Sequence, residues 1–414
     1  VALSPEEHRR LAHRNTVLLA SAQGLVQLAS PVMLLVGVVE IAELTGHESS
    51  TGFLNAAYFL AAAAGALLVG RSMDRLGRRP GLLASYALLV VAGLGAAASV
   101  AAGSWLGLLL CALPFGAAFG GANLARGAVA DMHPPERRGR AVGYVLAAGT
   151  VGAVASPFVV AFLQEFAEGR LGSDPNVLPW ILVPAGAVGA MVCVLRVRPD
   201  PRDMAVGETL ADIRAVVRPP REILGMPAVR LAVVAAAVGQ MAMVAVMGVT
   251  PVALHQHDVS PTAVSSVISV HIAGMFAFSP LIGAALDRYG RRPGLIAGAV
   301  LSIAGALLAA TEGRAFVVGL GLFAIGLGWS ATFLGATAVI SDATDPAERA
   351  GALGVMDLMV SLSSAAAGLA SGFVFEGAGF RVLGLATATL VLVVVLSALR
   401  LRAPAAERVS VDER

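Results

Sequence analysis

The chain has 414 residues, of which 57% are hydrophobic and only 14% charged, with a net charge of +2. Soluble domains carry about 25% charged residues, so this composition excludes an ordinary soluble enzyme and fits a polytopic membrane protein, and nucleic acid is not an expected partner. A mean hydropathy of +0.80 places the chain in a lipid bilayer. All 29 basic residues are arginine. Without lysine there is no GxxxxGK[ST] phosphate loop, so direct drive by ATP is not expected. Cys111 and Cys193 lie in separate apolar runs, form no CxxC pair and predict no disulfide.

The polar, mixed-charge start Val1–Asn15 lacks the pattern of a cleaved leader, so the first apolar run reads as a retained helix. A spanning helix needs about 20 mostly apolar residues. Cutting at charge clusters and Gly/Pro turns predicts spans 1 to 6 at 15–44, 50–71, 80–102, 104–130, 139–166 and 177–197. Spans 7 to 12 follow at 228–254, 260–286, 293–311, 313–341, 349–375 and 378–401. The expected fold is all-α, with twelve transmembrane helices in two six-helix bundles. Residues 1–197 form the first bundle and 228–414 the second. The segment 198–227 is a linker on the membrane surface, rich in proline, with a short surface helix expected at Gly207–Val217. Arginine crowds the links after spans 2, 4, 6, 8 and 10, while the opposite face holds Arg170, Arg314 and Arg381. The positive-inside rule then puts both termini in the cytoplasm.

The two halves repeat one loop. GRSMDRLGRRPGLLA at Gly70–Ala84 returns as GAALDRYGRRPGLIA at Gly283–Ala297, at an offset of 287 − 74 = 213 residues. Gly70 and Gly283 predict close helix approach. Gly77 and Gly290 predict turns of positive φ, and Pro80 and Pro293 suit the first turn of the next helix. Asp74 and Asp287 are expected to accept hydrogen bonds from a helix N-terminus or an arginine. A weaker echo pairs Asp131–Gly139, DMHPPERRG, with Asp342–Gly351, DATDPAERAG.

This pattern resembles the loop between helices 2 and 3 of the major facilitator superfamily and its echo between helices 8 and 9. The resemblance implies a secondary transporter, not an enzyme, in which the halves give alternating access to a central site. It also implies a cytoplasmic gate formed by Asp74, Arg75, Asp287 and Arg288. The location implied is a bacterial inner membrane.

Charge inside a membrane is costly and marks a pathway or a paired site. Asp357 lies about two turns inside span 11 and is the candidate for proton coupling. Arg126, one turn before the end of span 4, pairs either with a loop carboxylate such as Asp131 or with substrate. Glu40 and Glu43, near the outer end of span 1, are expected to snorkel to the surface.

Span 7 reads VGQMAMVAVMGVTP and span 8 reads SVHIAGMFAFSP. Met243 and Met247 are four apart and share a helix face, as do His271 and Met275. The spans are antiparallel, so both pairs fall at similar depth. Three thioethers and one imidazole on facing helices suit Cu(I) as substrate, with no resident cofactor required. Packing methionines and a hydrogen-bonded histidine are the competing reading. M-x-x-x-M beside H-x-x-x-M resembles the CcoA-like copper importers of the same superfamily, a branch that also holds riboflavin-type importers. His255 and His257, in the outer link, are candidates for metal capture at the entrance. The alternative function is a proton-coupled carrier of a small organic molecule, either drug-type efflux or riboflavin-type uptake. The expected partners are lipid, the copper ion or small-molecule substrate, and protons.

Overall fold

A computed structural model describes residues 4–400 except 173, 205–221, 223–224, 312–313 and 345. The expected helix at Gly207–Val217 lies outside the described residues. Among those described, every regular element is helical. In the first half these are α1 (Pro5–Ala29), α2 (Val38–Thr45), α3 (Ser50–Leu76), α4 (Arg78–Ala101), α5 (Trp105–Ala122), α6 (Ala125–Asp131), α7 (Pro135–Phe166) and α8 (Leu182–Leu195). The second half holds α9 (Pro227–Met247), α10 (Thr250–His255), α11 (Pro261–Phe276), α12 (Ser279–Tyr289), α13 (Arg291–Ala309), α14 (Ala315–Ala343) and α15 (Pro346–Arg400).

Eleven described stretches are long and apolar enough to cross a bilayer. The last, Ala352–Val393, is 42 residues long, twice the length one crossing needs. It breaks at Gly379, where φ is 82° and ψ is 171°. Counted as two crossings, α15 supplies spans 11 and 12.

The bundles are built on close backbone contact. In the first half α3 and α5 cross where a Cβ on Gly120 would sit 2.0 Å from the Ala62 carbonyl oxygen. The matching crossing in the second half joins α11 to α14, where a Cβ on Gly326 would lie 2.5 Å from the His271 carbonyl oxygen. Lipid tails are as apolar as leucine, so small residues that let backbones touch are what hold such helices together.

The repeated loops adopt one turn twice, with φ, ψ of 108°, 161° at Gly77 and 94°, 160° at Gly290. Their surroundings differ. Asp200, at the start of the linker, accepts the Arg78 and Arg79 backbone N–H groups at 3.0 and 2.9 Å and so caps α4. Arg202 returns a bond to the Arg75 carbonyl at 2.9 Å. The linker is thereby strapped to the first bundle. Replacing Asp200 with alanine removes both caps and should destabilise the detergent-solubilised protein by about 1–2 kcal/mol, the usual worth of an N-cap. A thermal melt of Asp200→Ala superimposable on the parent's would refute the strap.

Two expectations from the loops need correction. A Cβ on Gly70 would meet only Leu124 at 3.7 Å, and one on Gly283 would meet nothing within 4 Å. Neither glycine marks a close helix approach in this arrangement of the halves. The backbone-to-backbone approaches lie instead deeper in the bundles and at the end remote from the arginine-rich loops.

Candidate substrate cavity between the halves

Three helices break at one level, each with a proline just beyond the break. α1 stops at Ala29, and after Pro31 the chain makes a π-helical turn at Met33–Gly37. α9 stops at Met247 and resumes at Thr250, with Pro251 behind it. α11 stops at Phe276 and resumes at Ser279, followed by Pro280. Proline has no N–H to give the carbonyl four residues back, so the ladder opens there. Discontinuous helices at mid-membrane are a recurrent way to build a transporter site.

A cavity of about 160 Å³ lies at these breaks. The first half contributes Ser30, Pro31, Leu34, Asn55, Tyr58, Phe59, Phe119 and Ala153; the second contributes Met243, Val244, Met247, Gly248, Ile272, Met275 and Phe276. A dry void of about 150 Å³ accepts a benzene ring, so this one has room for one aromatic ring. Its aromatic walls are braced. The Tyr58 ring lies 5.0 Å from Phe59 and 5.8 Å from Phe119, and Phe276 meets Trp329 edge-on at 5.7 Å. Trp329 donates to Gln240 Oε1 at 2.5 Å, which fixes that indole behind the wall.

The four residues proposed as soft-metal ligands divide. Met243, Met247 and Met275 line this one cavity. His271 does not line it: the side chain is fully buried and its Nδ1 bonds the Leu322 carbonyl of α14 at 2.7 Å. Since a carbonyl only accepts, Nδ1 carries the proton. The other ring nitrogen, Nε2, is buried with no hydrogen-bond partner. His271 thus sits in the α11–α14 crossing, inside the second bundle.

The halves are tied together at the end remote from the arginine-rich loops. Glu376 accepts from the Ser49 backbone N–H at 2.9 Å and pairs with His47 at 3.1 Å. His255 pairs with Glu43 at 2.9 Å. Gln256 bonds Glu48, and Thr262 bonds Glu165 at 2.5 Å. Beneath these bonds α3 and α15 touch through backbone. A Cβ on Gly372 would lie 2.7 Å from the Gly52 nitrogen and 2.8 Å from the Ser49 oxygen. Of the two histidines expected to capture metal, His255 is engaged in this seam. His257 bonds the Ala253 carbonyl through Nδ1 at 2.8 Å and lines a separate cavity of about 660 Å³ at this same end.

At the opposite end the described bonds stay within each half. Arg78 pairs with Asp131 at 2.8 Å. Asp287 pairs with Arg291 at 2.6 Å, and Arg291 also reaches Asp342 at 3.2 Å. Arg288 packs over the Tyr289 ring at 5.5 Å, and Arg75 is exposed. The side chain of Asp74 lies outside the described residues. The four residues expected to gate this end therefore show no bond across the halves among those described. The molecule is closed at the end remote from the arginine-rich loops.

Asp357, on α15, and Arg126, on α6, are both exposed and stand on opposite halves. Arg126 Nε bonds the Asn123 carbonyl at 3.1 Å, while Asp131 is taken by Arg78. Of the two partners open to Arg126 from sequence, the loop carboxylate is therefore engaged elsewhere. Glu40 departs from expectation in the other direction. It is buried and accepts from Asn176 at 2.9 Å, which itself accepts from Gln164 at 3.0 Å. One amide answers the carboxylate and a second braces that amide, so Glu40 need not snorkel.

Two six-helix halves, broken helices at mid-depth and a cavity walled from both sides define a membrane carrier. The chain belongs to the Major Facilitator Superfamily, whose family model matches residues 18–259 and 232–414. It is similar to the Uncharacterized MFS-type transporter YdeG of Bacillus subtilis, 30% identical over 92% of this chain and 90% of that one. It is also similar to the Riboflavin transporter RfnT of Brucella anthropi, 29% identical over 89% of this chain and 91% of that one. The fold matches a bacterial homolog of the human lysosomal transporter Spinster in an inward-facing, unoccupied conformation, with TM-score 0.73 at 18% identity, covering 96% of this chain and 97% of that chain. The protein is a multi-pass membrane transporter.

Proposed function

We propose that this transporter carries a small, planar, mostly apolar organic molecule that places one ring in the cavity between the halves. The observation that carries the reading is the wall itself: Tyr58, Phe59 and Phe119 from one half face Phe276 and three thioethers from the other. Aromatic and thioether surfaces bind flat apolar rings by stacking and S···aromatic contact. The likeness to a relative named as a riboflavin transporter supports the same substrate class. In this reading both termini are cytoplasmic in a bacterial inner membrane, the closed seam faces outward, and transport runs toward the cytoplasm. Asp357 and Arg126 couple the cycle to protons. Asp74, Arg75, Asp287 and Arg288 close the cytoplasmic end in the alternate state.

A second reading, import of Cu(I), is favoured by one observation. Met243, Met247 and Met275 share the cavity, and His271 has an anchored Nδ1 that leaves Nε2 without a partner. Metal-bound imidazoles are commonly oriented by such a backbone bond. Against it stands the placement of His271 outside the cavity lining.

Uptake into proteoliposomes separates the two. Met247→Leu keeps the volume and removes the sulfur. Riboflavin uptake is expected in the parent, largely retained in Met247→Leu and reduced at least about tenfold in Phe276→Ala, which removes more than about 1.4 kcal/mol of ring contact. Copper uptake that falls to background in both Met247→Leu and His271→Gln, with no flavin uptake by the parent, would replace this reading with the second.

A further inference from the structure

We infer that Asn55 is the specificity residue of the cavity: its side-chain oxygen accepts a hydrogen bond from a ring N–H of the substrate. The inference rests on the organic-substrate reading above and names the polar group that such a substrate presents.

Asn55 lines the cavity and is completely buried. Its Nδ2 donates to the Gly248 carbonyl at 3.4 Å, where α9 breaks. Its Oδ1 is buried with no hydrogen-bond partner. The amide cannot be turned round, because that would set Oδ1 against the Gly248 carbonyl, acceptor against acceptor. The orphan atom is therefore an acceptor, and it is held in place from both sides. A Cβ on Gly248 would lie 2.8 Å from Asn55 Nδ2, and one on Gly368 would lie 2.7 Å from Asn55 Cβ. Leaving a buried acceptor unpaired costs about 1–3 kcal/mol. The other cavity walls are aromatic, aliphatic or thioether, apart from the Tyr58 phenol and Ser30, whose hydroxyl is given to Gln27 at 3.3 Å. A bound ring thus finds one fixed acceptor in Asn55 Oδ1, whereas the Tyr58 hydroxyl can rotate to donate or accept. A ring bearing N–H satisfies it; the same ring bearing N–CH₃ leaves it unpaired and must also fit a methyl group. Sites built this way reject the analogue that lacks the donor far more strongly than apolar pockets reject a size change.

The same amide joins the halves, since Asn55 belongs to α3 and Gly248 caps the C-terminal end of α9. A substrate bonded to Oδ1 is thereby held by the side chain that bridges the two halves at the cavity.

The test uses the full-length purified transporter and two matched ligands, riboflavin and N3-methylriboflavin, read by quenching of tryptophan fluorescence and by thermal shift. Trp329, behind Phe276, is the expected reporter. The parent should bind riboflavin at least about tenfold more tightly than the methylated analogue, the worth of one satisfied buried acceptor. Asn55→Leu should bind both with equal, weak affinity. The thermal melt of ligand-free Asn55→Leu, close to the parent's, together with retained weak binding of both flavins, separates a lost acceptor from a lost fold. Equal affinities in the parent, or an undiminished preference in Asn55→Leu, would overturn the assignment of Asn55 and leave the aromatic cavity standing. Binding of neither flavin, with Cu(I) bound by the parent, would overturn the organic reading and this inference with it.

Discussion

Gly372→Val is expected to hold apart the end of the halves remote from the arginine-rich loops and to cut uptake by about tenfold or more. A Cβ at this position would lie 2.7 Å from the Gly52 nitrogen and 2.8 Å from the Ser49 oxygen. Both are backbone atoms, so no side chain can swing away, and α3 and α15 must separate. Overpacking of this kind costs about 1–3 kcal/mol, and each 1.4 kcal/mol is about tenfold in a population. The cost falls only on the conformation in which this seam is shut, so the two-state balance moves toward the other. Spin labels at Gly46 and Gly377, across the seam, should report a longer distance in the variant. Gly354→Val is the control, because a Cβ there meets nothing within 4 Å. Unchanged distance and unchanged uptake in Gly372→Val would show that the seam is not a gate.

The second large effect belongs to Asp357. Asp357→Asn should abolish accumulation driven by a proton gradient while leaving exchange of substrate across the membrane intact. An amide of the same shape keeps the packing and removes the titratable group. Arg126→Gln should impair the same step, because the coupling reading sets this cation on the other half against Asp357. If the two residues act as a pair, the double variant will be no worse than either single one. Full gradient-driven uptake by Asp357→Asn would remove it from the coupling mechanism.

The repeated loop and the spacing of apolar runs made the two-half architecture legible before any coordinates. Asp74, Arg75, Asp287 and Arg288 stand at the arginine-rich end as the repeat implied, although the ends of the halves that touch are the opposite ones. The methionine pairs were legible too: four-residue spacing put Met243 and Met247 on one face, and both line the cavity with Met275. His271 shows where periodicity runs short. It lies four residues from Met275, but helical spacing tells which residues are neighbours, not which neighbour a ring prefers. The Leu322 carbonyl on α14 captured it. Asn55 and the aromatic wall were not singled out, because an asparagine or a phenylalanine in an apolar helix has no spacing signature. The prolines Pro31, Pro251 and Pro280 were the available signal, each marking a helix that opens at the depth of the cavity.

By itself, then, the chain's order of residues determined that it lies in a bilayer, how many times it crosses and that its halves are copies, since these follow from local hydropathy, turn chemistry and repetition. Only the tertiary structure decided which faces line the cavity, which end is shut and which carboxylates are answered. Those depend on how two bundles meet. In a bilayer that meeting is set by backbone contacts at glycines and by a few polar bonds between segments far apart in the chain, as with Glu376 and Ser49 or Asn55 and Gly248.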